Sequence, residues 1–170
     1  MDLKRYIRDI PDFPKPGILF RDITPLLRDP AALRYTLDLF AKRYDGQGIQ
    51  KVVSMEARGF IFGPAVAARL NAGFAPVRKP GKLPYRSRQV TYDLEYGTDT
   101  LAIHEDAIAP GERVLLLDDL LATGGTMGAS IKLVEDLGGK VAGVGFIIEL
   151  VALKGREKLG GYDVFSLIQY

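Results

Sequence analysis

The chain has 170 residues, of which 47% are hydrophobic and 26% are charged, and its formal net charge at pH 7 is +2. These values are typical of one globular domain with a substantial core, so we expect a single domain over residues 1–170. The small net charge gives no reason to expect nucleic acid as a partner. Because cysteine is absent, disulfides and thiolate metal sites are excluded. The sequence contains neither a secretory pattern nor an apolar run of the roughly 20 residues that span a bilayer, so we expect a cytoplasmic protein without a membrane partner.

The N-terminal third contains two predicted helices. Apolar side chains recur at helical spacing within residues 2–10, which predicts a short amphipathic helix. Prolines then predict an extended loop over residues 11–17. Asp29-Pro30 combines an N-cap side chain with proline at the first helical position, so a second helix is expected from there to Gly46.

Short apolar runs predict the strands of a central sheet. These runs cover residues 51–55, 74–78, 113–118, 141–150 and 163–168. Helical patterns lie between them, from Gly59 to near Gly73 and over residues 127–137. The alternation of strands and helices predicts an α/β domain with a mainly parallel central sheet flanked by helices.

Residues 80–104 form an insertion with a different pattern. After a polar loop containing Pro80 and Gly81, apolar and polar residues alternate from Val90, which predicts a half-exposed antiparallel strand. Gly97 marks a turn into a partner strand near residues 101–105. We therefore predict a small β-hairpin that acts as a lid.

The segment 118–126 carries the strongest functional signal. It follows a continuously apolar strand, and it ends in two glycines before a helix. Ligands of open α/β sheets bind beyond the carboxyl ends of the strands, where glycine-rich turns and helix N-termini receive anions. A terminal phosphate is therefore expected on five residues: Ala122, Thr123, Gly124, Gly125 and Thr126.

Asp118 and Asp119 need a different target, because carboxylates repel a phosphate. Vicinal hydroxyls would satisfy them through hydrogen bonds of about 1.5–3 kcal/mol each, and a ribose 5-phosphate offers both groups. The segment has no Gly-Lys-Ser/Thr and no Gly-x-Gly-x-x-Gly, so it matches neither a P-loop nor a dinucleotide fingerprint. Metal ligation by the acid pair and a purely structural turn remain alternatives.

Residues 115–127, Leu-Leu-Leu-Asp-Asp-Leu-Leu-Ala-Thr-Gly-Gly-Thr-Met, resemble the phosphoribosyl pyrophosphate motif of the type I phosphoribosyltransferases. Residues 20–25, 56–60 and 94–97 are similar to further segments of the adenine phosphoribosyltransferases. The resemblance runs from about Ile7 to the C-terminus. It implies the type I fold with an N-terminal base-binding segment. It also implies transfer of ribose 5-phosphate from 5-phosphoribosyl 1-pyrophosphate to adenine, giving AMP and pyrophosphate.

Basic residues are candidates for the pyrophosphate. The fork of Arg58 suits a phosphate group, although Arg58 could instead pair with Glu56 on the surface. The resemblance implies that Arg58 contacts pyrophosphate. The cluster Arg78, Lys79 and Lys82 is a further candidate, because a pyrophosphate needs neutralising charge, although such clusters are usually solvated surface. The resemblance also implies that Arg78 reaches the diphosphate of a neighbouring subunit, so we expect a homodimer.

Phe20 is the candidate for contact with the base. An aromatic ring beside irregular backbone suits a flat heterocycle, although such a residue is often simply part of the core. The resemblance implies that Phe20 stacks on adenine and that the backbone of Leu19 and Arg21 reads its edge. We add Leu120 to this predicted base-binding set.

The resemblance places catalysis at Glu95, beside Tyr96 in the lid, and at Asp118 and Asp119. Glu95 would either transfer a proton or act through its charge, and the alternative is a solvent-facing strand residue. The expected cofactor is Mg²⁺, held mainly by substrate and water rather than directly by the protein. Two rival functions stay open: transfer to hypoxanthine, guanine, xanthine or orotate, and sensing of the donor without catalysis.

Overall fold

The computed structural model describes residues 1–94 and 97–170. In chain order, the strands are β1 (Arg8–Pro11), β2 (Leu19–Asp22), β3 (Lys51–Met55), β4 (Gly73–Val77), β5 (Ser87–Asp93), β6 (Thr98–His104), β7 (Arg113–Leu121), β8 (Lys140–Glu149) and β9 (Val164–Gln169). The helices are α1 (Thr24–Arg28), α2 (Pro30–Tyr44), α3 (Gly59–Arg69) and α4 (Gly125–Asp136).

The centre of the fold is a parallel sheet with the strand order β4-β3-β7-β8-β9. In β7, Val114 and Leu116 pack in the core on one side of the sheet, and Leu115 and Leu117 pack on the other. A strand buried on both faces accounts for the continuous apolar run in the sequence. The predicted α/β class with a parallel sheet flanked by helices is confirmed.

Single residues set the start of one flanking helix and the close packing of another. The Asp29 carboxylate accepts hydrogen bonds from the N–H groups of Ala31 (2.9 Å) and Ala32 (2.8 Å), so α2 begins where the sequence predicts. In α3, a side-chain carbon added at Gly63 would overlap the Ser54 hydroxyl of β3. This helix therefore lies close against the sheet and fixes the turn that precedes it.

The N-terminal prediction is wrong in part. Only Leu3–Tyr6 forms a helical turn, of the 3-10 type, and β1 follows it instead of a continued helix. Strand β1 pairs antiparallel with β2, and Ile10 lies opposite Phe20. This pairing gives the backbone of β1 hydrogen-bond partners that the helical spacing of its apolar residues could not predict. Helix α1 was also not predicted.

The predicted hairpin consists of β5 and β6, which pair antiparallel. Strand β6 begins at Thr98, earlier than expected. A bridge ties the hairpin to the end of β4, because Arg78 and Ala102 exchange backbone hydrogen bonds of 2.9 and 2.8 Å. The predicted catalytic residue Glu95 and the lid residue Tyr96 lie outside the described residues. None of the described helices is both long and apolar enough to cross a membrane.

Candidate active site

The acid pair lies inside strand β7, which corrects the prediction that the strand ends at Asp118. Asp118 and Leu120 face Phe146 and Ile148 of β8 in parallel register, so the ladder continues past both acids. Asp119 is only 4% exposed, and its N–H donates to Asp118 Oδ1 at 2.9 Å. The two carboxylates are therefore fixed by the central sheet rather than by a loop.

A cavity of about 430 Å³ opens beside the acid pair. It is lined by the turn 56–58, by the segment 118–127 and by Phe146. The structure thus brings together Arg58, both acids, Leu120 and the predicted phosphate-binding residues 122–126. These parts are separated by about sixty positions in the sequence and meet because β3 and β7 are neighbours.

The segment 122–126 leads directly into the N-terminus of α4. Gly124 has φ +82°, a left-handed conformation that favours glycine. In the described part of the chain, no side chain caps this helix. Its first N–H groups have no partners within the helix, and they are available to an anion. The geometry suits the predicted phosphate site.

The hairpin touches this phosphate-binding loop through Tyr92, a contact that the sequence analysis missed. The Tyr92 hydroxyl lies 3.1 Å from Thr126 Oγ1 and donates to Asp99 Oδ2 at 3.3 Å. Its ring would be 3.3 Å from a side-chain carbon added at Gly125. Burial, with a smaller contribution from the Asp99 charge, raises the pKa of Tyr92. The alternation of apolar and polar residues from Val90 predicted a half-exposed strand but not this contact.

Arg58 pairs with Asp119 and not with Glu56, so the surface-pair alternative is wrong. Its Nε lies 2.7 Å from Asp119 Oδ2, and its guanidinium carbon is 5.2 Å from the centroid of the Phe20 ring. Glu56 instead accepts hydrogen bonds from Arg78 Nε (3.0 Å) and Nη2 (2.9 Å). Arg58 therefore joins the acid pair to the predicted base-binding segment.

The basic cluster is not gathered into the cavity as a unit. Arg78 lies at its edge through the ion pair with Glu56. The Lys79 ammonium pairs with Asp99 of the hairpin, and its backbone N–H donates to Glu56 at 2.6 Å. Lys82 is exposed. Within this cluster of three, Arg78 is the best placed, whereas the fourth predicted pyrophosphate contact, Arg58, lines the cavity itself.

Both carboxylates of the acid pair have raised pKa values. Burial and the neighbouring charge of Asp119 raise the pKa of Asp118 well above its ordinary value. Burial also raises the pKa of Asp119, although the Arg58 guanidinium opposes this shift. Hydroxyl donors or a cation would relieve both carboxylates. Among residues 1–94 and 97–170, no three acidic or histidine side chains cluster as metal ligands.

The predicted base-binding residues are divided between two cavities. Phe20 lines an apolar cavity of about 370 Å³ that Arg58 also lines, and it packs edge-to-face on Phe13 at 5.1 Å. Leu120 lines the polar cavity instead. The side chain of Arg21 lies over the Tyr170 ring, 3.7 Å from its centroid, and Leu19 is 45% exposed.

Comparison with known proteins agrees with this geometry. The family described as phosphoribosyl transferase domain matches residues 23–168. The adenine phosphoribosyltransferase of Acidobacterium capsulatum is 62% identical over 168 residues, covering 99% of this chain and 93% of the relative. The crystal structure of the Thermoanaerobacter pseudethanolicus adenine phosphoribosyltransferase is 54% identical with a TM-score of 0.96, covering 99% of this chain and 98% of that one.

A further solved structure is the Saccharomyces cerevisiae adenine phosphoribosyltransferase, complexed with an imino-altritol bisphosphate and adenine. It is 41% identical with a TM-score of 0.93, and the match covers 98% of this chain and 96% of that one. These similarities cover at least 98% of this chain and at least 93% of each relative. The chain belongs to the type I phosphoribosyltransferase family and, within it, to the adenine phosphoribosyltransferases.

Proposed function

We propose that this protein transfers ribose 5-phosphate from 5-phosphoribosyl 1-pyrophosphate to adenine, which forms AMP and releases pyrophosphate. The observation that carries the proposal is the arrangement of one cavity, in which the Asp118–Asp119 pair adjoins an uncapped helix N-terminus and Arg58. This arrangement matches the hydroxyls, the 5-phosphate and the diphosphate of the donor. The relatives named above are adenine phosphoribosyltransferases, which supports adenine as the acceptor.

The reaction breaks the bond between C1 of the ribose and the diphosphate oxygen. Positive charge builds on the ribose, and the carboxylates of Asp118 and Asp119 stabilise it from fixed positions. The leaving pyrophosphate is received by Arg58. A ring nitrogen of adenine attacks C1 and loses its proton, and Glu95 assists either by accepting that proton or by its charge.

The donor set fits a magnesium ion that arrives with the substrate. Mg²⁺ keeps several waters and binds one or two carboxylates together with substrate phosphates. Asp118 and Asp119 are the residues that would face it, through the ribose hydroxyls or water. When bound, the ion supplies positive charge that neutralises the diphosphate.

We further propose that the protein is a cytoplasmic homodimer and that residues 80–104 close over the donor as a lid. Closure would exclude water, which otherwise hydrolyses the donor. Support for the lid comes from Tyr92, which already bridges the hairpin and the phosphate-binding loop. Support for the compartment comes from the substrates, since phosphorylated metabolites are retained inside cells.

The decisive experiment is a pyrophosphate-release assay with the donor and a panel of bases, with and without Mg²⁺. We expect turnover with adenine that is lost when EDTA removes the metal. Turnover with hypoxanthine, guanine, xanthine or orotate instead would reassign the base. Binding of the donor without turnover on any base would identify a sensing protein.

A further inference from the structure

The segment between β8 and β9 lies against the phosphate-binding loop. Gly155 is buried there, while its neighbours Lys154 and Arg156 are exposed. A side-chain carbon added at Gly155 would overlap the carbonyl oxygen of Ala122, and one added at Gly124 would be 2.6 Å from the Gly155 carbonyl oxygen. The two backbones therefore pass each other with no room for a single side-chain carbon between them.

Position 155 requires glycine because of the close contact with the neighbouring backbone, and not because of its own backbone conformation. Its φ lies outside the left-handed range, so alanine could adopt the same backbone. A side-chain carbon at 155 would also be 2.9 Å from Leu121 Cδ1. Any larger residue must therefore displace either its own segment or the loop that begins at Ala122.

Arg156, the residue after Gly155, holds this segment in place through an ion pair with Glu149. Glu149, the last residue of β8, is only 4% exposed. It accepts hydrogen bonds from Arg156 Nε at 2.9 Å and Nη2 at 2.5 Å. Hydrogen bonds also come from Ser166 Oγ (2.6 Å) and Gln169 Nε2 (3.2 Å) of β9. The Arg156 side chain thus fastens the segment to the end of the central sheet.

Arg156 also reaches the neighbouring strand, since its Nη1 donates to the Val164 carbonyl at 2.7 Å. Its hydrogen bonds, with those of Ser166 and Gln169, lower the pKa of Glu149 to about 2. The carboxylate is therefore charged throughout the physiological pH range, so its ion pair with Arg156 does not depend on pH there. A buried, fully partnered carboxylate of this kind fixes geometry at the sheet end where the cavity opens.

We propose that Glu149 and Arg156 are positioning residues that hold Gly155 against residues 122–124 and so set the shape of the loop that binds the donor's 5-phosphate. None of the three residues lines the cavity beside the acid pair. The inference rests on the proposed function. It differs from a general stabilising role because it predicts a selective loss of affinity at the phosphate end of the donor.

The test compares Gly155→Ala with Gly160→Ala, a matched control in the same segment. Gly160 has φ −56°, and a carbon added there would be 3.5 Å from its nearest neighbour, so alanine fits. Calorimetric dissociation constants for ribose 5-phosphate and for adenine are measured, together with KM for the donor and the thermal unfolding midpoint. Because residues 122–124 must shift to make room for the added carbon, at least one hydrogen bond to the charged phosphate should be lost, so we expect at least about tenfold weaker binding of ribose 5-phosphate by Gly155→Ala. Adenine binding should be unchanged in both variants.

The series Arg156→Lys and Arg156→Gln gives a second measurement that does not depend on Gly155→Ala folding. Lysine keeps a charge for Glu149 and should retain part of the ribose 5-phosphate affinity, whereas glutamine should lose more of it. The inference is overturned if a folded Gly155→Ala protein binds ribose 5-phosphate with wild-type affinity. It is also overturned if the wild type, Arg156→Lys and Arg156→Gln bind ribose 5-phosphate with equal affinity. Wild-type protein that binds ribose 5-phosphate but turns over no base would instead refute the proposed function and leave this comparison valid.

Discussion

Arg58 and Asp119 form an ion pair in which Nε lies 2.7 Å from Oδ2. The side chain of Asp119 is 6% exposed and that of Arg58 is 37% exposed, so the pair connects the buried end of β7 to the open cavity. The residue predicted for pyrophosphate and a residue predicted for the ribose are thus in direct contact. We expect changes at either one to affect both parts of the donor.

Asp119→Asn should lower kcat/KM. The corresponding loss of transition-state stabilisation should exceed about 1.5 kcal/mol, the upper range for one neutral hydrogen bond. The substitution preserves shape, but it removes the charge that would stabilise the positive ribose and leaves Arg58 without its partner. Steady-state kinetics with saturating adenine measure the effect. Asp106→Asn, at an exposed acid, is the control. An unchanged kcat/KM in Asp119→Asn would count against the catalytic role.

Arg58→Lys should weaken product inhibition by pyrophosphate several-fold. Lysine keeps the charge but lacks the planar fork that binds a phosphate through two nitrogens, and it cannot lie flat over the Phe20 ring. Inhibition constants for pyrophosphate provide the measurement, and Arg28→Lys on the exposed end of α1 is the control. Identical constants for wild type and Arg58→Lys would show that pyrophosphate binds elsewhere.

The sequence was informative where local chemistry determines the structure. The apolar run of β7 and the Asp29 cap act through residues close in sequence, so the central sheet and the start of α2 were predictable. The glycines after β7 likewise indicated the turn into α4, whereas its role in binding phosphate stays a prediction. The partner of Arg58 was not predictable, because Glu56 lies only two positions away in sequence, whereas Asp119 is brought close only by the pairing of β3 with β7. Gly155 was missed for the same reason. Its surroundings, Lys-Gly-Arg-Glu-Lys, are typical of a solvated turn, and only the folded chain places it against Ala122.

Tyr92→Phe should raise KM for the donor while leaving KM for adenine unchanged. The hydroxyl bonds to Thr126 at the phosphate-binding loop, and a net hydrogen bond contributes about 0.5–1.5 kcal/mol. We therefore expect an increase of roughly two- to tenfold. Tyr85→Phe is the control, since Tyr85 is 56% exposed on the same insertion. Equal donor KM values in Tyr92→Phe and wild type would show that this contact does not serve donor binding.

Subunit complementation decides whether Arg78 acts across a dimer. Arg78→Ala and Asp119→Asn proteins are each expected to be weakly active, because each lacks one part of the site. If Arg78 completes the partner's site, dissociating and reassociating a mixture of the two should create mixed dimers with one intact site and restore activity. If Arg78 serves its own cavity through Glu56, mixing restores nothing. Light scattering on the same samples reports whether dimers form.

Asp118→Asn should stabilise the protein at pH 7 while lowering its activity. Burial and the charge of Asp119 raise the pKa of Asp118 in the folded state, so the folded protein holds its proton more tightly than the unfolded chain does. Stability therefore falls as pH rises from the ordinary value of 3.8 through the raised one, and the penalty persists at neutral pH. Asparagine is uncharged and can still accept the hydrogen bond from the Asp119 N–H.

Urea unfolding at pH 7 and at pH 4 tests this prediction. At pH 7 we expect Asp118→Asn to gain more than about 0.5 kcal/mol, the usual limit for surface substitutions. At pH 4 the gain should shrink, because the raised pKa of Asp118 favours the neutral carboxyl of the folded wild type as the pH falls. Asp106→Asn, at an exposed site, should show no such pH-dependent gain. A destabilised Asp118→Asn protein at pH 7 would mean that the acid pair is well compensated in the fold. An Asp118→Asn protein that is more stable but weakly active would show that the charge of Asp118 destabilises the fold and is needed for activity.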